Sequence, residues 1–106
     1  MVYALNLFNI EDTKENLYRE YSIKAGKIIY AKGGRVISSA WHPIKKLKGD
    51  TQQNYMIIVE FPSEEVFKEF LDEAENQDIH KLRESSTKDY IWTLYKPWDI
   101  KSWVKE

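Results

Sequence analysis

The chain has 106 residues, room for one domain with one core and not for two. Sixteen Lys and Arg against seventeen Asp and Glu leave a net charge of −1, so no global field draws nucleic acid or an anionic membrane to it. With no cysteine, disulfides, thiolate metal sites and cysteine nucleophiles are all excluded, and a reducing, cytoplasmic setting is the expectation.

In chain order, VYALNLFNI (2–10) alternates Tyr3, Leu5 and Leu7 against Ala4, Asn6 and Phe8, which predicts a strand with both faces covered. It is too short and too alternating for a signal peptide, and no apolar run approaches the roughly 20 residues that span a bilayer. Asp12 and Glu15 have the spacing of a capping box. They precede a helix over 13–32 with Leu17, Tyr18, Tyr21, Ala25, Ile28 and Ile29 on one face. Gly33 and Gly34 follow the helix and precede a strand over 35–42. A phosphate loop needs glycines in the opposite order, before a helix N-terminus, so this pair reads as a helix stop.

NYMIIVEF (54–61) predicts the third strand, and Ser63 caps a helix whose stripe is Val66, Phe67, Phe70, Leu71 and Ala74. A short helix with Asp78 as cap carries Ile79, Leu82 and Ser86 on one face, and DYIWTLY (89–95) closes the domain as a fourth strand. The order β-α-β-β-α-β predicts an α+β split-βαβ plait, with two helices on one face of a four-stranded antiparallel sheet. Residues 1–96 form this domain. Residues 97–106, with Trp98 and Trp103, form a tail expected to dock on the domain or on a partner subunit.

The strands leave neither sheet face polar. Paired as a simple hairpin, Ile37, Trp41, Tyr55, Ile57, Val59 and Phe61 share one face, and Val36, Ala40, Met56 and Ile58 the other. Helices cover one face, so the other calls for a partner, and a homodimer through the sheet faces is the expectation. The plait also occurs in RNA-recognition domains, but Met56 and Ile58 stand where stacking aromatics belong, so RNA binding is not expected.

The runs YAKGGRVI, LKGD, IVEFPSEEVFKEF and ENQDIHKLRE, spread over Tyr3 to Tyr95, together resemble the domain of unknown function 1330 proteins. These are part of the dimeric α/β barrel superfamily, and the resemblance implies a ferredoxin-like monomer whose sheet stacks on that of its mate. ENQDIHKLRE departs from the family, which often has an aromatic residue before this helix. Better-known superfamily members include cofactor-free monooxygenases, muconolactone isomerases and haem-degrading enzymes, and no catalytic motif of theirs maps onto positions here.

Among the residues themselves, His42 and His80 are the only histidines and lack metal-ligand spacing, so neither a metal nor a cofactor is expected. Arg83 borders the buried face of the short helix, with His80 on its flank. A guanidinium there pairs either with a structural carboxylate such as Glu60 or with an anionic or enolate oxygen of a ligand. Tyr21 and Asn6 bring polar tips into apolar surroundings, and Trp92 completes a candidate pocket. Two functions fit these residues. One is a dimeric module that binds a small molecule or serves a structural role. The alternative is a cofactor-independent monooxygenase or isomerase acting on a small aromatic or polyketide-like compound, with Arg83 holding an enolate and His80 moving a proton.

Overall fold

A computed structural model describes residues 1–104. Strand β1 (Val2–Ile10) leads to helix α1 (Glu15–Ala31), then strands β2 (Arg35–Trp41) and β3 (Tyr55–Phe61). Helices α2 (Glu64–Asn76) and α3 (His80–Ser86) precede strand β4 (Thr87–Tyr95), and a 3-10 turn, Ile100–Ser102, lies in the tail. The strands form one antiparallel sheet in the order β2-β3-β1-β4. This is the ferredoxin-like plait. The Cα extents of 44 × 34 × 17 Å describe a slab two layers thick, sheet on one side and helices on the other.

The alternation of β1 decides which residues meet the helices. Ala4, Asn6 and Phe8 are buried, while Tyr3, Leu5 and Leu7 point to the bare face. Register carries this parity across the sheet: Asn6 lies opposite Ile57 on β3 and Trp92 on β4, and Ala4 opposite Val59 and Leu94. Phe61 and Phe70 are among the largest fully buried side chains and join Ala25, Ile28 and Ile29 of α1 in the core.

Both longer helices end in Schellman motifs. In α1, Gly34 N donates to Ile29 O at 2.8 Å and Gly33 takes φ +87°, so the glycine pair is indeed a helix stop. A Cβ on Gly34 would stand 2.7 Å from Ile29 Cγ2, so that position needs glycine for space, while Gly33 is the one the turn requires. In α2 the left-handed position belongs to Asp78 (φ 58°), with Ile79 N donating to Ala74 O at 3.0 Å.

Asp78 therefore closes α2 and does not cap α3, contrary to the expectation from sequence; Ile79 precedes α3 and gives it no side-chain cap. The Asp12–Glu15 capping box is also absent. Thr13 turns through φ 66°, Lys14 N donates to Glu11 O, and α1 begins at Glu15 with no side-chain cap. At Ser63 the expectation holds, since its Oγ accepts from Val66 N at 3.1 Å.

The simple hairpin register for β2 and β3 is corrected by a bulge. Val36 pairs with Val59, but Ser38 pairs with Ile58, so Ile37 is the extra residue. One inserted residue reverses parity on its far side, and Val36 belongs to the helix face with Val59. Strand β4 starts at Thr87, two residues earlier than its sequence pattern indicated, with a second register shift opposite Phe8 and a positive φ at Asp89. The tail folds on itself: Trp98 and Trp103 meet edge to face at 5.6 Å and remain 66% and 72% exposed.

Candidate functional site

Asn6 stands mid-strand on the helix face, where a polar side chain must find partners or cost stability. It finds them locally. Its Nδ2 donates to Ala4 O and Ile57 O, both at 3.3 Å, and its Oδ1 accepts from Tyr90 Oη at 2.6 Å. Tyr90 lies two residues before Trp92 on β4, and strand parity aims both at the helices.

From the helix layer, α1 contributes Tyr18 and Tyr21, three residues apart and therefore on one face. Arg83 of α3 lays its guanidinium over Tyr90 and Trp92, with Cζ 5.0 and 4.9 Å from the ring centroids. Phe8 stacks on Tyr90 at 5.0 Å and on Tyr55 at 5.5 Å, and tilts against Tyr18. The wall is thus aromatic, with one cation upon it.

Between α1 and the sheet lies a cavity of about 90 Å³ whose lining includes Asn6, Tyr18, Tyr21, Val36, Tyr90 and Trp92. A wider groove of about 430 Å³, bordered by Phe8, Trp41, Tyr55 and Arg19, shares Tyr18 and Ile57 with it as walls. Trp92 Nε1 is buried and has no hydrogen-bond acceptor.

Burial pushes the Tyr18, Tyr21 and Tyr90 hydroxyls above the ordinary phenol range. At Tyr21 the charge and hydrogen bond of Arg83 oppose that rise without cancelling it, and at Tyr18 a hydrogen bond with Ser22 does the same. All three are neutral phenols at pH 7. They can orient a ligand, and none is placed to act as a base.

Of the residues singled out in the sequence, Asn6, Tyr21 and Trp92 line one cavity, and Arg83 packs on its aromatic wall. His80 does not line it: its Nε2 is 4.0 Å from Glu84 Oε1, one turn along α3, and its Nδ1 is buried without a partner. The alternative pairing of Arg83 with Glu60 does not form. Glu60 lies between Val59 and Phe61, so parity turns it to the bare face, opposite Tyr3 and Arg35. Among the described residues, no carboxylate forms an ion pair with Arg83.

Sequence reasoning did not place Tyr18, Tyr90 or Phe8 at the site, although the spacing of Tyr18 from Tyr21 and of Tyr90 from Trp92 carried the signal. No group of three or more metal-ligating side chains occurs among the described residues, and no helix there is long and apolar enough to cross a membrane.

The fold is shared with ferredoxin-like proteins of known structure. It superposes on RPA0582, a protein of unknown function from Rhodopseudomonas palustris, with a TM-score of 0.80 and 21% identity over 92% of this chain and 82% of that one. A dabb family protein with a ferredoxin-like fold from Mesorhizobium loti gives 0.63 and 11%, over 92% and 96% of the two chains. SnoaB, a cofactor-independent oxygenase from Streptomyces nogalater, gives 0.61 and 9%, over 92% and 93%. At these identities the likeness is one of fold. No curated protein matches the chain. Residues 2–95 match the family described as Domain of unknown function (DUF1330), and the protein belongs to that family.

Proposed function

We propose that this protein is a homodimeric module that binds a small, planar molecule bearing an anionic or enolic oxygen. The observation that carries the reading is Arg83, stacked on Tyr90 and Trp92 beside a cavity and without a carboxylate partner among the described residues. A partly buried guanidinium held in place by aromatic rings suits an oxygen anion, and the unmet Trp92 Nε1–H adds a second donor. Aromatic walls of Tyr18, Tyr90 and Trp92 suit a flat ring.

The alternative is catalysis without a cofactor, in the manner named for the Streptomyces nogalater oxygenase of the same fold. The cavity lining contains no carboxylate and no imidazole, and its tyrosines are held neutral, so none of the described residues is placed there to take a proton. Binding is therefore the better-supported role.

Dimerisation is proposed through the bare sheet face. Leu5, Leu7, Met56 and Ile58 occupy its centre, with Ile91 and Tyr95 toward the β4 edge. The tail is proposed to lie on the second subunit, since Trp98 and Trp103 pack edge to face on each other and still remain largely exposed.

The binding reading is tested by titrating the full chain with 3-hydroxybenzoate, a planar aromatic carboxylate, while following the Trp92 indole N–H by NMR. A saturable shift in the wild type that is lost in Arg83→Gln, with the variant still folded, is expected. An equal shift in both proteins, or none in the wild type, contradicts the reading.

A further inference from the structure

We infer that the pocket selects a ligand presenting a hydrogen-bond donor, O–H or N–H, to Tyr90 in addition to the acceptor oxygen that Arg83 takes. Asn6 imposes this polarity without touching the ligand, as a positioning residue. The inference deepens the binding reading above and rests on it.

The orientation of the Asn6 amide is determined by its neighbours. Two backbone carbonyls, of Ala4 and Ile57, lie 3.3 Å from Nδ2. Turned over, the amide would set Oδ1 against both carbonyl oxygens, acceptor against acceptor. Nδ2 therefore faces the carbonyls, and Oδ1 faces Tyr90 as an acceptor.

A phenol has one proton to give, and at 2.6 Å that of Tyr90 is committed to Asn6 Oδ1. What the Tyr90 oxygen has left is lone-pair capacity. Phe8 stacks on the ring at 5.0 Å with an interplanar angle of 11°, and Arg83 lies over it, so the ring has little freedom to present itself otherwise.

Each polar group at the cavity, and Arg83 packed on its aromatic wall, then has a fixed sense. Arg83 only donates, the Trp92 Nε1–H is a donor without an acceptor, and Tyr90 accepts. An acceptor oxygen fits the first two. At Tyr90 a ketone, ether or halogen would set lone pair against lone pair, whereas a hydroxyl or amino group would complete the bond. The chemical class is a hydroxy- or amino-substituted planar acid or enol.

The test is isothermal titration of the full chain with benzoate, the three hydroxybenzoates and the three fluorobenzoates, fluorine being a near-isosteric group that cannot donate. The best-placed hydroxy isomer should bind the wild type roughly tenfold more tightly than its fluoro counterpart, about the effect of one hydrogen bond. In Tyr90→Phe that ratio should fall to near one, whatever the variant's affinity for benzoate itself. A wild-type protein in which no isomer prefers hydroxyl to fluorine overturns the inference, and needs no variant to fold. So does a preference that survives in Tyr90→Phe. If no benzoate binds the wild type at all, the binding reading itself fails, an outcome distinct from the loss of selectivity.

Discussion

The two faces of the sheet use similar residues for different ends. On the helix face Phe8 and Phe61 are almost wholly enclosed, and the polar Asn6 is admitted only because Ala4, Ile57 and Tyr90 satisfy it. On the bare face Leu5, Leu7 and Ile58 are as apolar as a core, yet they lie on the side of the sheet away from the helices and are only partly buried, and Ile91 and Tyr95 remain about half exposed. Composition alone does not tell such faces apart. Coverage does, and the core-like but uncovered face is the one proposed above to meet a second copy of the chain.

The strongest way to break this contrast is to cut into each face. Phe61→Ala, at 1% exposure, should cost about 3–5 kcal/mol in chemical denaturation, through lost transfer energy and the cavity left behind. Ile58→Glu, one strand neighbour from Leu5 on the bare face, should leave the monomer folded and weaken dimerisation by roughly a hundredfold or more in sedimentation experiments. A similar loss of folding stability from both changes would mean that the faces do not differ.

The tail sharpens the contrast further. Ending the chain at Tyr95 removes two largely exposed tryptophans, so the melting temperature of dilute monomer should hardly move while dimer affinity falls about tenfold. Unchanged affinity would show that the tail contributes nothing to assembly.

The buried tyrosines predict a pH effect confined to the helix face. A phenol whose folded pKa is raised above its unfolded value of 10.0 contributes stability that is whole below pH 10 and lost as pH rises through the folded pKa. Tyr90→Phe should therefore blunt alkaline unfolding, at a cost of about 1–3 kcal/mol at pH 7 from the buried Asn6 Oδ1 that it leaves without a donor. The smallest effect is expected at Arg83. With no ion pair to break, Arg83→Gln should cost only about 1–2 kcal/mol from the two ring contacts, and the damage should fall on ligand binding.

How far the sequence foretold these faces depends on the kind of signal. Periodicity of two and of 3.6 gave the strands, the helices and their order, because burial on one side imposes it directly. The Gly33–Gly34 stop and the Ser63 cap were legible for the same reason, each being a local backbone need. Bulges were not: Ile37 resembles any strand residue, and only pairing with β3 shows that it stands out of register, which moved Val36 to the cavity wall. Asp78 and the Asp12–Glu15 pair misled because acidic residues suit both a helix start and a turn, and what decides is the local backbone path, Lys14 N to Glu11 O and Ile79 N to Ala74 O, which residue type alone does not specify.

At the site, Asn6, Tyr21 and Trp92 were readable as polar or aromatic side chains on apolar faces. The lack of a link between Arg83 and Glu60 was not readable, because it depends on which side of the sheet Glu60 faces once the chain is folded.

The division of labour between the faces is tested most directly by native mass spectrometry of the wild type and Arg83→Gln in 3-hydroxybenzoate. The account predicts a dimer of two 12.7 kDa chains in both proteins, with ligand retained by the wild type and lost from the variant. A 12.7 kDa monomer, or equal ligand occupancy in the two proteins, would contradict it.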